Sequence, residues 1–226
     1  MIVATRSEGK MRELVPLLEA AGYEPRSLSD VGIDEQADEA AIEAFDTFEE
    51  NARAKAHYFS ARAGGALVLA EDSGLEVHAL GGAPGVRSKR WSMDAAAHRA
   101  AATHDAMPQQ DATRAVPLSG AALDAANNEA LLAALRGVQD RSARYVCVAV
   151  VVDGDQEYVA RGEVAGHISD TARGNYGFGY DPFFESVELG MRFGEATAAQ
   201  KAGVSHRGKA VRAVLALLAS AAHEPS

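Results

Sequence analysis

An uninterrupted apolar run over residues 145–152 constrains the fold of this 226-residue chain more than any other feature. Its repeated valines are typical of a β-strand. Asp153, Gly154 and Asp155 follow this run and predict a hairpin turn into a second strand over residues 157–160. The fold must therefore contain antiparallel pairing, because a short hairpin reverses the direction of the chain.

The first part of the chain has a different order of elements, namely strand, loop and helix. Residues 2–5 form a short apolar strand, and residues 12–20 place leucines at helical spacing. A second helix is predicted over residues 46–63, and a buried strand over residues 66–70 ends before Glu71. We therefore expect polar motifs at the carboxyl ends of two strands, the edge where ligands usually bind in open α/β sheets.

The rest of the chain continues the same domain. Residues 92–126 are rich in Ala, His, Asp and Gln without a sustained period, which predicts a surface insertion. Residues 127–135 resume a helical pattern, and residues 205–221 carry apolar side chains along a terminal helix. With 47% hydrophobic residues, we expect one domain over residues 1–226 with a sizeable core.

Charge and composition exclude several classes of protein. The net charge of −10 argues against non-specific nucleic-acid binding, which needs a positive surface. No stretch approaches the roughly 18 apolar residues of a membrane span. We expect no signal segment either, because the first residues enter a strand-like run without a basic region. The single cysteine, Cys147, lies in the apolar run and is interpreted as a small buried hydrophobe. We expect a soluble cytoplasmic protein.

The loop after the first strand is the first candidate site. It consists of Thr5, Arg6, Ser7, Glu8, Gly9 and Lys10. Its backbone N–H groups and the positive end of the following helix can face an anion, to which Lys10 adds a full charge. The loop is not a Walker A motif, and polar strand-to-helix loops are often purely structural. Both interpretations stay open from these residues alone.

Two adjacent carboxylates, Glu71 and Asp72, form the second candidate site together with Ser73 and Gly74. Neighbouring residues of a strand point to opposite faces, so only one carboxylate is expected to enter a given cleft. A carboxylate there can hold Mg²⁺ or accept a proton from an attacking water. A solvated acidic turn is the alternative.

Three later segments add polar groups. A Gly-Pro loop over residues 80–86 precedes Lys89. Residues 174–182 combine glycines with aromatic side chains suited to a flat base. Finally, Lys201, His206 and Arg207 precede the last helix. Each of them can equally be a structural loop, a cap or a surface charge. The histidines lack partners at metal-ligand spacing, so zinc is not expected.

Taken together, six blocks of the sequence resemble the inosine triphosphate pyrophosphatase family in their order and spacing. They cover residues 4–14, 47–56, 71–75, 80–86, 177–182 and 205–208. The resemblance implies an α/β fold in which a long, curved, mixed β-sheet and flanking helices form two lobes around a nucleotide cleft, usually in a homodimer. It also implies Mg²⁺-dependent hydrolysis of noncanonical purine triphosphates such as ITP, dITP and XTP to the monophosphate and pyrophosphate.

The resemblance carries roles to individual residues. The loop from Thr5 to Lys10 would cradle the triphosphate with Lys55, and Asp72 would be the general base and a Mg²⁺ ligand beside the substrate-contacting Ser73. The base and phosphates would be surrounded by Lys89, Phe178, Gly179, Tyr180, Asp181, Lys201, His206 and Arg207, with Phe178 stacking on the purine. Glu43, four residues before Thr47, would be the second metal ligand, with Glu39 as the alternative.

Several positions depart from the family's pattern. Arg6 and Ser7 stand where the family usually has Gly-Asn, Lys89 lies in an altered segment, and residues 92–126 exceed the usual length. Two alternatives therefore remain beside the main hypothesis. One is a nucleotide pyrophosphatase of broader specificity, and the other is a nucleotide-binding module without catalytic activity.

Overall fold

The computed structural model describes residues 1–94 and 118–222. Residues 95–117, which make up most of the predicted insertion, lie outside these ranges. None of the helices in the described ranges combines the length and the apolar character that crossing a membrane requires.

One mixed sheet of seven strands forms the centre of the described part of the chain. The strands are β1 (Ile2–Val3), β2 (Arg26–Ser27), β3 (Val68–Val77), β4 (Ser142–Asp153), β5 (Gln156–Ile168), β6 (Phe184–Ser186) and β7 (Met191–Arg192). Their spatial order is β2-β1-β3-β4-β5-β6-β7. Strand β1 pairs in parallel with β2 and β3, and all other pairs of this sheet are antiparallel. The predicted mixed sheet and the β4–β5 hairpin are confirmed.

Five α-helices that lie wholly within the described ranges flank the sheet: α1 (Glu8–Ala20), α2 (Phe48–Arg62), α3 (Gly120–Ala134), α4 (Ala198–Val204) and α5 (His206–Ala221). Hydroxyl side chains define the start of four of them, and at α4 the Thr197 hydroxyl accepts a hydrogen bond from the Gln200 backbone N–H. Ser7, Thr47 and Ser205 each accept a hydrogen bond from a backbone N–H of the first turn of α1, α2 and α5. Such caps satisfy donors that have no partner within the helix.

The expected end of the third strand is wrong. Strand β3 continues through Glu71 and Asp72 to Val77, because it pairs with β4 from Val68 to Val77 and these ladder hydrogen bonds hold the polar residues in extended conformation. Strand β1 ends earlier and pairs with β3 only at Val68 and Leu69. The first loop therefore leaves the sheet beside the middle of β3, rather than beside its end.

The expected start of helix α3 is also wrong. It begins at Gly120 rather than at residue 127, so the last part of the predicted insertion is helical. Its first turn is largely exposed and rich in alanine. Such a turn buries no apolar stripe, and the periodicity that predicts a helix is consequently missing there.

The apolar interior is divided at the middle of β3. Helix α2 covers one face of the β1 side of the sheet, with Val68 and Ala70 in its cluster, and helices α1 and α5 cover the opposite face around Leu69. A third cluster surrounds Leu75 and Val77 and includes residues of α3 and β6. The two lobes thus adjoin where the polar residues of β3 lie.

Candidate active site

The first loop contains the cap of helix α1 and bonds some of its own amide groups. The Ser7 hydroxyl accepts a hydrogen bond from the Lys10 amide at 3.3 Å, and the Thr5 hydroxyl accepts one from the Ser7 amide at 3.1 Å. Helix α1 begins at Glu8, so the whole predicted loop is the amino end of a helix. The dipole of this helix favours a bound anion at its amino end.

The segment over residues 174–182, called the aromatic loop below, belongs to the other lobe and packs against this end of helix α1. A Cβ atom added to Gly9 would lie 2.8 Å from the Phe178 ring, so only glycine allows the ring to pack here. The ring centroid lies 5.3 Å from the Lys201 Nζ and 5.7 Å from the Arg207 Cζ. Phe178 is therefore brought together with two of the cations that the sequence predicted for the site.

The two carboxylates of β3 point to opposite faces, as the strand period requires. Glu71 faces α1 and α5, where its carboxylate lies 2.7 Å from the Lys10 Nζ and 3.6 Å from the Arg207 Nε. Glu71 also accepts a hydrogen bond from the Cys147 thiol, with 3.3 Å between Sγ and Oε2. Burial alone would raise the pKa of Glu71, but Lys10 and Arg207 hold it well below its usual value. Glu71 is thus a permanent anion that organises the cations.

Asp72 faces α2 and is buried, with the Asn51 amide donating to its Oδ2 at 3.1 Å. Burial raises the pKa of Asp72, Lys10 and Lys55 oppose this rise, and Glu43 reinforces it, so that the pKa lies above its ordinary value. An aspartate with a raised pKa is a stronger base than an exposed one. The position suits proton abstraction.

Glu43 is the second carboxylate near Asp72. It forms an ion pair with Lys55, whose Nζ also donates to the Glu71 backbone oxygen at 3.0 Å. Burial would raise the pKa of Glu43, but Lys55, Lys10 and Lys89 lower it. Lys89 is exposed and lies within a 3₁₀ helix over Gly85–Arg90.

These oxygen donors fit Mg²⁺. The ion commonly uses one or two protein carboxylates and completes its shell with phosphate oxygens and water. Glu43 and Asp72 provide two such carboxylates, and the described residues contain no group of three or more metal-binding side chains. The alternative ligand, Glu39, is instead bonded to Arg6 at 2.8 Å and to Arg62 at 3.1 Å. The geometry therefore favours Glu43 over Glu39.

Glu13 belongs to the site although the sequence did not single it out. Its carboxylate bridges Lys201, at 2.7 Å, and Arg207. Burial would raise the pKa of Glu13, but Arg207 and Lys201 lower it to about 2. Lys10 and Glu13 are three residues apart on α1 and share one helix face, which was the available signal.

The remaining cations of this cluster meet the aromatic loop and β3. Lys201 also forms an ion pair with the buried Asp181, which accepts the Phe178 amide at 2.9 Å. Arg207 donates to the Ser73 hydroxyl at 2.9 Å.

His206 stacks on the Tyr145 ring, with the ring centroids 4.6 Å apart and the planes 9° apart. Burial, reinforced by Arg207, holds the pKa of His206 well below its usual value, so the imidazole is neutral.

Arg6, Gly179 and Tyr180 are also bonded to other parts of the protein. The Arg6 guanidinium is bonded to Glu39 and to the Ile33 backbone oxygen. The Gly179 amide donates to Asp124 at 2.8 Å, and the Tyr180 hydroxyl donates to the Ser88 backbone oxygen at 2.8 Å. These bonds fix the aromatic loop to α3 and to the 3₁₀ helix. Of the other predicted residues, Glu8 and Lys89 are exposed. Six of them are buried, namely Lys55, Asp72, Asp181, Lys201, His206 and Arg207.

The fold and the site define an α/β protein with buried carboxylates and a cluster of cations between two lobes, an arrangement suited to an anionic ligand. Comparison with known proteins makes the class specific. The model of the Ham1 family matches residues 1–217, and the chain belongs to this family.

Relatives and solved structures agree with this assignment. The chain is 42% identical over 213 residues to the dITP/XTP pyrophosphatase of Syntrophobacter fumaroxidans, covering 93% of this chain and 78% of the relative. It is 41% identical over 220 residues to the enzyme of the same name from Acidobacterium capsulatum, covering 96% and 97%. The Ham1 protein of Staphylococcus aureus has a similar structure, with a TM-score of 0.72, 31% identity and coverage of 97% and 98%.

Proposed function

We propose that this protein hydrolyses noncanonical purine nucleoside triphosphates, such as ITP, dITP and XTP, to the monophosphate and pyrophosphate, and so removes them from the nucleotide pool. The observation that carries the proposal is the buried Asp72 of β3, which accepts a hydrogen bond from Asn51 of α2, while the neighbouring Glu71 pairs with Lys10 and Arg207 on the opposite face. The relatives named dITP/XTP pyrophosphatase support the choice of substrate.

In the proposed reaction, Asp72 accepts a proton from a water molecule whose oxygen attacks the α-phosphorus. A new P–O bond forms, and the bond from the α-phosphorus to the bridging oxygen breaks, so that pyrophosphate leaves with the bonding electron pair. Mg²⁺, held by Asp72 and Glu43, would neutralise charge on the phosphate oxygens. Lys10 and Lys55 would stabilise the leaving group as its negative charge grows.

Substrate binding would rearrange the present ion pairs. Lys10 and Arg207 are now neutralised by Glu71 and Glu13, and Lys55 by Glu43. A triphosphate would compete for these cations, while Glu71 and Glu13 retain their charge because their pKa values are low. The carboxylates thus keep the cations protonated and in place before the substrate arrives.

The purine would lie against Phe178, between His206 and Arg207. A neutral imidazole and a guanidinium can both donate to the 6-oxo group of inosine or xanthine, which adenine lacks. Discrimination against GTP would rest on the absence of a favourable partner for its amino group. We also propose a cytoplasmic homodimer, on the basis of the family resemblance.

A hydrolysis screen tests the proposal directly. ITP, dITP, XTP, dUTP, ATP and GTP are incubated with the protein, with and without Mg²⁺, and pyrophosphate and orthophosphate are measured separately. We expect pyrophosphate from the first three substrates and only with Mg²⁺. Asp72→Asn should lower kcat by roughly a hundredfold or more, because it removes the base. Asp155→Asn, in the exposed β4–β5 turn, is the control.

Each alternative predicts a different result in the same screen. Efficient hydrolysis of dUTP would favour the broader nucleotide pyrophosphatase. Tight ITP binding without hydrolysis would favour the non-catalytic module. Near-normal turnover by Asp72→Asn would contradict the assignment of the base.

A further inference from the structure

Arg6 connects the first loop to the segment that precedes Glu43. Its guanidinium donates to both carboxylate oxygens of Glu39, at 3.1 and 2.8 Å, and to the Ile33 backbone oxygen at 2.9 Å. It also lies 5.8 Å from the Phe59 ring centroid of α2. The Arg6 and Glu39 side chains are only 27% and 10% exposed, so solvent screens their pairing less than that of a surface ion pair.

Glu39 lies in a 3₁₀ helix over Ala37–Ala41 that ends two residues before Glu43. The Gln36 backbone N–H donates a hydrogen bond to Glu39 Oε1 at 3.2 Å and so caps the start of this helix. Arg62 of α2 holds the same carboxylate from the other side, at 3.1 Å. Glu39 is therefore bonded both to the first loop and to α2.

The segment over residues 33–43 has no strand partner. Its backbone hydrogen bonds are local, such as those from Glu39 to Gln36 and from Ile42 to Glu39. Side chains must therefore set its position relative to the sheet. Arg62 fixes it to α2, whereas Arg6 fixes it to the loop whose amides would face the phosphates.

We propose that Arg6 is a positioning residue that couples the two halves of the site: through Glu39 it holds the segment carrying Glu43 against the phosphate-binding loop. Metal binding at Glu43 and Asp72 and anion binding at the loop then favour each other, because both require the same arrangement of loop and segment. Arg6 stands where the family usually has glycine, and Glu39 provides a partner for this larger, charged side chain. The inference rests on the proposed function of the site.

The effect on metal binding is measured with Arg6→Ala. Mn²⁺ affinity is determined by electron paramagnetic resonance of the free ion in the presence of inosine monophosphate, and the Mg²⁺ dependence of ITP hydrolysis is measured in parallel. We expect the Mn²⁺ dissociation constant and the half-saturating Mg²⁺ concentration to rise about three- to tenfold, a range typical of lost coupling between neighbouring groups. Excess Mg²⁺ should restore most of the lost rate.

Hydrogen exchange provides a second readout that needs no activity. Amides of residues 33–43 should exchange faster in Arg6→Ala than in the wild type, while those of β4 should not. In a Glu39→Ala background, Arg6→Ala should add less than about a twofold change, because both substitutions remove one interaction. Arg53→Ala is the matched control. Arg53 forms an ion pair with Glu157, with 2.9 Å between Nε and Oε1, and this pair lies away from the first loop.

The outcomes separate the two proposals. Unchanged Mn²⁺ affinity and unchanged exchange in Arg6→Ala would overturn the positioning role, even if ITP is hydrolysed. A lower melting temperature with no change in metal dependence would also overturn it, because that is the result of a purely structural role. A wild type that releases no pyrophosphate from ITP would instead overturn the proposed function.

Discussion

The charges of single side chains in this site are set by their neighbours more than by their identity. Glu71 and Asp72 are adjacent, yet Lys10 and Arg207 lower the pKa of the first, while burial raises the pKa of the second. One carboxylate is therefore fixed as an anion and the other is suited to accept a proton. Because the strand turns them to opposite faces, the two roles do not compete.

Glu13 should contribute strongly to stability at neutral pH. Its pKa falls from 4.5 to about 2 on folding, which corresponds to a contribution on the order of 3 kcal/mol. Because the folded-state pKa is lowered, this contribution is complete above about pH 4.5 and is lost as the pH falls towards 2. Glu13→Gln should thus lower the free energy of unfolding at pH 7, as measured by urea denaturation.

The pH dependence distinguishes this effect from a loss of packing. The difference between the wild type and Glu13→Gln should shrink as the pH falls below about 4.5. Glu19→Gln, on an exposed position of the same helix, should have little effect. An equal difference at pH 3 and pH 7 would show that the charge of Glu13 is not responsible.

Among the elements, helix α1 contributes most to the site. Its amino end forms the first loop, and Lys10 and Glu13 extend from it towards β3 and α5. Gly9 in its first turn lets the aromatic loop of the other lobe approach. Helix and aromatic loop therefore depend on each other at this one contact.

Gly9→Ala should impair substrate binding without destabilising the protein. The new methyl group would meet the Phe178 ring at 2.8 Å and displace it, while alanine favours the helix by about 1 kcal/mol over glycine. We expect KM for ITP to rise roughly three- to tenfold, as for a lost aromatic contact. Steady-state kinetics and thermal unfolding measure the two effects separately.

Two comparisons test this explanation. Gly203→Ala is the matched helix control, because a Cβ atom there has no neighbour within 4 Å. In a Phe178→Ala background, Gly9→Ala should have no further effect on KM. A KM increase that persists without the ring would exclude the steric mechanism.

The molecule as a whole encloses the charged residues of the candidate site between the lobes, where the apolar clusters separate. His206 lies at this junction, stacked on Tyr145 of β4 and preceding the rest of α5. Burial keeps its imidazole neutral in the folded state. Any protonation of His206 must therefore accompany opening of this part of the structure.

Global stability should consequently decrease in mild acid. The pKa of His206 is lower in the folded than in the unfolded state, so stability is complete above about pH 6.5 and is lost as the pH falls. One such proton contributes a slope of up to about 1.4 kcal/mol per pH unit. Urea denaturation between pH 8 and pH 5 should show this slope in the wild type and a smaller one in His206→Gln. His167→Gln, at an exposed position of β5, is the control, and equal slopes in all three proteins would contradict the prediction.

Local patterns were sufficient to predict much of the fold. Asp153, Gly154 and Asp155 after a run of valines predicted the β4–β5 hairpin, and spaced leucines over residues 12–20 predicted helix α1, which begins four residues earlier, at Glu8. These features depend on neighbours along the chain. The length of β3 depends instead on a strand that lies far away in sequence, because pairing with β4 holds the polar middle of β3 in extended conformation.

The candidate site divides in the same way. Its residue types and their order were recognisable in the sequence, and from them we predicted a phosphate-binding role for the first loop and a role for the adjacent carboxylates of β3. Their partners were not recognisable, since Glu13 meets Arg207 across 194 positions and Arg6 meets Glu39 across 33. Ion pairing and burial act through space, so only the folded chain decides which carboxylate stays charged, which accepts a proton and which cation each one holds.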